Sequence, residues 1–251
     1  MRAFRDAWLM TLREIRHLLR QPVWIVVNLS TPLLLLGLFS PLLGPLSSSL
    51  GFQGNVLQGF LPGILLLIAF AGGLNLGWGV VSDLERGVIE RFRVTPISRV
   101  AMLLGPILAN ILSNWVFGAL LVVAGTVFGF QIYWGGMLLL FLLLGLTALL
   151  FGAFSIAVAL LTRITDSFAA VVNGVNLPIL LLGGILLPIS LGPHWMTALA
   201  HLDPLYYSVQ ASRILALGEV NGVVGEAFAI TSGLGAIALG WATWVLRRQV
   251  S

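Results

Sequence analysis

The densest run of ionisable side chains in this sequence is Asp83-Leu84-Glu85-Arg86-Gly87-Val88-Ile89-Glu90-Arg91-Phe92-Arg93-Val94-Thr95-Pro96-Ile97-Ser98-Arg99. Asp83 is suited to cap a helix whose first turn carries Glu85, an acid favourable against the positive end of a helix dipole. Val88, Ile89 and Phe92 give that helix one apolar face, and Thr95-Pro96 ends it. Two roles fit: a surface offered to a partner, or a basic loop that only orients the chain. Phe92, apolar among charges, favours docking. Acid–base chemistry has little to work with. His201 and Asp203 are two residues apart across a helix break, a spacing that does not place them on one face, so both read as solvent-facing. There is no cysteine, which excludes disulfides, thiolate metal sites and cysteine nucleophiles. There is no lysine either, so a G-x-x-x-x-G-K-[ST] phosphate loop cannot exist, and any ATP-driven work needs a nucleotide bound by another subunit.

A second group of polar side chains sits in apolar surroundings. Asn110 and Asn114 are four residues apart, and Asn173 and Asn176 are three apart just before Pro178, so each pair shares a helix face. Asn28, Ser30, Thr31 and Asn75 lie in similar stretches. An amide in hydrocarbon needs a partner, so these faces point at other helices or at a cavity. They read either as interhelical glue or as the lining of a substrate path. The pairs Gly73/Gly77 and Gly125/Gly129 allow helices to approach closely. No ionisable residue falls near the middle of an apolar stretch. That weighs against proton- or sodium-driven transport and against metal or acid–base catalysis within a membrane. A lining of amides and aromatics without charge suits a lipid-like or amphipathic cargo.

The elements that must position these residues follow from composition. Apolar residues make up 59% of the 251 residues and charged residues 9%, against about 45–50% and 25% in soluble proteins, so the chain is expected to be an integral membrane protein. Six apolar stretches, roughly 23–43, 60–81, 104–129, 137–161, 168–187 and 223–246, are each about 20 residues or longer, enough to cross about 30 Å of hydrocarbon. Twelve of the thirteen arginines fall before the first stretch, between the second and third, between the fourth and fifth, or after the sixth. By the positive-inside bias those regions, and both termini, are cytoplasmic, with Arg213 alone outside. Tryptophans support the levels, except Trp115, which sits mid-span.

Ahead of the spans, residues 1–21 carry Phe4, Trp8, Leu12, Ile15 and Leu19 at three- or four-residue spacing among arginines, the pattern of an amphipathic interfacial helix. Between the fifth and sixth spans, residues 190–221 are irregular. Asp203-Pro204 has the form of an N-cap followed by proline at the first helical position, and Gly218 that of a helix stop. About 14 residues are too few to cross, so this region is expected to form two short helices that dip into the outer leaflet and return, packed against protein. The fold class is all-α: a single domain over residues 1–251, with six transmembrane helices, an interfacial N-terminal helix and a re-entrant outer hairpin.

The run E-R-G-x-I-E-R-F-R-V-T-P-I-S-R, Glu85 to Arg99, resembles the cytoplasmic loop of permease subunits in ABC-2 type exporters. So do the amphipathic helix ahead of six spans and the outer W-x(7)-D-P-L-Y segment from Trp195 to Tyr206, which leads to a helix bearing Arg213. Daunorubicin-resistance-type and lipo-oligosaccharide-nodulation-type permeases are the nearest likeness. The resemblance implies a transporter rather than an enzyme: two permease chains, expected to be identical, each bound to a cytoplasmic ABC ATPase that holds ATP and Mg. This chain would bind no cofactor and no nucleic acid, and would sit among lipids of the cytoplasmic membrane. Glu85, Arg86, Gly87, Ile89, Glu90, Arg91, Phe92, Thr95 and Pro96 would form the coupling helix seated in the ATPase, within the loop 83–99. Trp8, Leu12, Ile15 and Leu19 would supply a second contact. Two other classes stay open, a membrane enzyme acting on lipids and an ion-coupled carrier.

Overall fold

The computed structural model describes Thr11 and residues 29–38, 56–86, 99–185, 189 and 192–250. Among them every regular element is a helix: α1 (Leu29–Leu38), α2 (Val56–Glu85), α3 (Arg99–Val127), α4 (Trp134–Thr162), α5 (Thr165–Leu182), α6 (His194–Ala200), α7 (Pro204–Ala216) and α8 (Gly222–Val250). The helices α2, α3, α4, α5 and α8 are long and apolar enough to cross a membrane. They coincide with the second to sixth expected spans, and the chain is an all-α polytopic arrangement. Of the first expected span, residues 23–28 and 39–43 lie outside the described residues.

Helix limits depart from hydropathy limits in an instructive way. The second apolar stretch ends at Val81, yet α2 continues to Glu85. Backbone hydrogen bonding does not require an apolar side chain, so the helix carries on where the hydropathy falls. Asp83 therefore lies exposed in the last turn of α2 and does not cap a new helix as the sequence suggested. Gly129 is a second correction. It lies exposed beyond the end of α3, with φ +96°, in the turn that the Phe130 N–H closes onto the Gly125 carbonyl at 2.9 Å. The fifth span stops at Leu182, short of the expected 187, where Gly183 and Gly184 follow (the latter with φ +66°).

Lipid tails are as apolar as leucine, so close packing rather than water exclusion holds such helices together. The most extensive packing is between α2 and α4. A Cβ on Gly73 would lie 2.9 Å from the Gly152 nitrogen, and one on Gly152 would lie 2.8 Å from Leu76 Cδ1. One turn on, Ser155 Oγ accepts from the Gly77 N–H at 3.1 Å and donates to the Leu74 carbonyl. Phe70 and Phe151 meet edge to face at 4.7 Å. Trp241 on α8 lies beside Phe154 at 6.0 Å, and Gly118 and Gly125 let α3 close on α2 and α4. These contacts set α2, α4 and α8 parallel, with α3 and α5 antiparallel to them. Arg86, Arg99, Arg163, Arg247 and Arg248 thus collect at one end, where the Arg248 guanidinium stacks 3.9 Å over Trp244.

Trp115, which fits no interfacial belt, is explained by its partner. Its indole N–H donates to the Phe141 carbonyl of α4 at 2.8 Å, and Gly145, one turn on, leaves room for the ring. A tryptophan within a span is satisfied by a helix carbonyl rather than by the interface.

Candidate functional site

At the arginine-rich end, α4 and α5 are joined by Arg163 and Ile164 alone. Arg163 takes the left-handed conformation with φ +58°, and Ile164 at the N-cap of α5 has no polar side chain to offer. The missing acceptor comes from another element: Glu85 Oε1, at the end of α2, accepts the Thr165 N–H at 2.9 Å. Just inside that contact, Phe168 packs on Gly77 and meets Trp78 edge to face at 5.0 Å. Arg86 is exposed beside Glu85. The remaining expected coupling residues, Gly87, Ile89, Glu90, Arg91, Phe92, Thr95 and Pro96, lie outside the described residues, as do Trp8, Leu12, Ile15 and Leu19. Thr11 is buried and donates to the Gly105 carbonyl of α3 at 3.3 Å.

The two asparagine pairs separate in character. Asn114 is buried and its amide donates to Asn110 Oδ1 at 2.9 Å. A Cβ on Gly72 would lie 3.0 Å from Asn110 Nδ2 and 3.1 Å from Asn114 Oδ1, so the pair presses on the backbone of α2. Asn173 and Asn176 instead face out of the chain. Pro178 lies inside α5 and has no N–H for the Gly174 carbonyl, and Gly174 is itself exposed. The outer face of α5 therefore carries a polar row within an apolar span, of which Phe168 and Val172 are the buried residues.

At the opposite end, Asp203 caps α7 by accepting the Leu205 N–H at 2.9 Å, with Pro204 at the first helical position. Its Oδ2 is buried without a hydrogen-bond partner, as is Gln58 Oε1, whose amide donates to the Gln131 carbonyl. Gly218, at φ +80°, ends the helix. The direction of α7 follows from its contacts. Leu215 packs on Gly136 near the start of α4, whereas Ser208 meets Thr147 near the midpoint of α4 at 3.4 Å and Thr231 of α8 at 3.0 Å. The N-terminal part of α7 therefore points into the bundle, held by three buried hydroxyls. Arg213 reaches sideways: Nε donates to the Gly59 carbonyl of α2 at 3.0 Å, and Nη2 donates to the Gly184 carbonyl beyond α5 at 2.7 Å. Tyr206 and Tyr207 pack around His201, to whose carbonyl the Tyr207 hydroxyl donates at 3.1 Å. His201 and Asp203 thus have separate partners and form no dyad. Trp195 on α6 is exposed. Among the described residues no group of three or more His, Cys, Asp or Glu could hold a metal.

Three links were invisible as sequence: Glu85 to Thr165, Arg213 to the carbonyls of Gly59 and Gly184, and Ser208 between Thr147 and Thr231. Each joins elements far apart in the chain, and the only local signal was a polar residue at an apolar boundary.

Residues 5–217 match the family described as ABC-2 type transporter. A protein named "Putative transport permease ycf38" from Cyanophora paradoxa is 30% identical over 215 residues, 84% of this chain and 74% of that protein. The daunorubicin resistance ABC transporter permease protein DrrB1 of Streptomyces coeruleorubidus is 26% identical over 223 residues, covering 86% and 77%. A ycf38 namesake from Pyropia yezoensis is 26% identical over 213 residues, 81% and 71% of the two chains.

Proposed function

Because the chain belongs to the ABC-2 type transporter family, we propose that it is the membrane half of an exporter, driven by a separate ABC ATPase that holds ATP and Mg. The observation that carries this reading is the family match over residues 5–217, together with five helices able to cross a membrane. The cargo is a hydrophobic or amphipathic molecule, in keeping with the amides and aromatics of the spans and with the drug named for the Streptomyces relative. The arginine-rich end faces the cytoplasm of a cell whose cytoplasmic membrane holds the protein. Glu85 to Pro96 docks the ATPase, the N-terminal helix makes a second contact, and α6 and α7 form the re-entrant outer hairpin.

Vesicles carrying the chain and its ABC ATPase should accumulate a fluorescent anthracycline only with ATP. Accumulation without the ATPase, or none with any amphipathic probe, would overturn the reading. Within it, Glu90→Arg and Phe92→Asp should each lower ATPase capture and transport by about tenfold or more, and unaltered capture in both would remove the docking assignment.

The polar row on α5 supports a second copy of the permease as its neighbour, since exposed amides in hydrocarbon need partners. Cross-linking tests this cleanly, because the chain has no cysteine of its own. Asn173→Cys is expected to give an oxidant-dependent dimer in membranes, while Leu138→Cys on the exposed face of α4 gives none. Equal yields at the two positions would remove the α5 assignment.

A further inference from the structure

The helix α5 is held at both ends by side chains from elsewhere. Glu85, an acid, accepts its first amide, and Arg213, a base, donates to the Gly184 carbonyl just past its last turn. Each charge has the sign that favours its end of the helix dipole. Between those ends α5 buries Phe168 and Val172 and leaves most of its surface bare. Near Glu85, Trp78 meets Phe168 edge to face and Gly77 lies tight against it, while Gly77 also donates to Ser155 of α4. A displacement of the end of α2 is therefore passed directly to α5 as well as to α4.

We propose that the Glu85–Thr165 hydrogen bond is the link through which motion of the segment following α2 is passed to α5, the two moving as one body. This rests on the reading of that segment as the ATPase dock. Glu85 is here a positioning residue, and Thr165 is the receiving point. The backbone offers an unusually clean way to cut the link. Thr165 is the first helical residue of α5, and Ile164 before it has φ −127° and ψ 132°, the conformation that a following proline imposes. Thr165→Pro thus removes the N–H that Glu85 accepts while suiting the start of the helix.

The test uses the permease–ATPase complex in lipid nanodiscs and vesicles. Thr165→Pro is expected to bind the ATPase and hydrolyse ATP as the parent does, yet to transport about tenfold less per ATP, a typical size for one coupling contact. Thr165→Ala, which keeps the N–H and loses only the hydroxyl that also faces Glu85, should keep most of the parent's transport. Spin labels on Arg86→Cys and Asp166→Cys, both exposed, report the link directly. Their dipolar broadening should persist when the ATPase is trapped with ATP and vanadate, and should be lost on trapping in the Thr165→Pro background. Unimpaired transport by Thr165→Pro, or broadening lost on trapping in the parent, overturns the link and leaves the transporter reading intact. A parent chain that captures no ATPase overturns both.

Discussion

Arg213→Ala is expected to be the most damaging single polar substitution in the described part of the chain. The guanidinium donates to carbonyls of α2 and of the Gly183–Gly184 turn while belonging to α7, so it fixes three elements at once. Its removal leaves the carbonyls of Gly59 and Gly184, both buried, without that donor. The Gly59 carbonyl keeps the Gly63 N–H of its own helix, so one buried carbonyl, that of Gly184, is left unpaired, at about 1–3 kcal/mol. Melting of the purified protein, followed by the fraction remaining monodisperse, should fall by roughly 5 °C or more, and transport should be lost. Arg213→Lys should recover part of the stability, because one ammonium can serve one carbonyl but lacks the planar fork that serves both. An alanine variant that melts with the parent would show that the three elements are held by packing alone.

Gly136→Ala should rival it, for a steric reason. A methyl group there would fall within contact distance of the Leu215 carbonyl oxygen, and Leu215 is backbone of α7 that no rotamer change can move aside. Overpacking of this kind costs about 1–3 kcal/mol even where side chains can yield. The change should therefore displace α7 and separate Ser208 from Thr147. The neighbouring Gly135 provides the control, since nothing lies within 4 Å of a Cβ built there. Gly135→Ala should leave melting unchanged or raise it slightly, as alanine is the better helix former. Equal melting of the two variants would mean that α7 does not rest on α4.

Much of this architecture was legible in the sequence, and the reasons are local. Apolar runs long enough to cross hydrocarbon marked α2, α3, α4, α5 and α8, because side-chain hydropathy is set residue by residue. Asp203-Pro204 and Gly218 marked α7, because capping and left-handed turns each depend on a few adjacent residues. The Asn110–Asn114 contact followed from helical spacing. The misreadings were local too: Asp83 looked like a cap because the hydropathy falls where the helix does not end. The partners of Glu85 and Arg213 could not be read, since each is a backbone group dozens of residues away and backbone groups carry no sequence signature. Gly72 was likewise overlooked beside Gly73 and Gly77, although it is the residue that gives the asparagine pair its seat.

The bareness of α5 has a consequence for how the protein matures. A span that rests on its own chain mainly at its two tips has little local free energy of attachment and opens as a separate cooperative unit. In a lone chain such a helix would come loose first under detergent or heat. If a second copy covers it, as proposed above, that pairing would also complete the folding of α5, and an unpaired permease would be one that quality-control proteases can recognise.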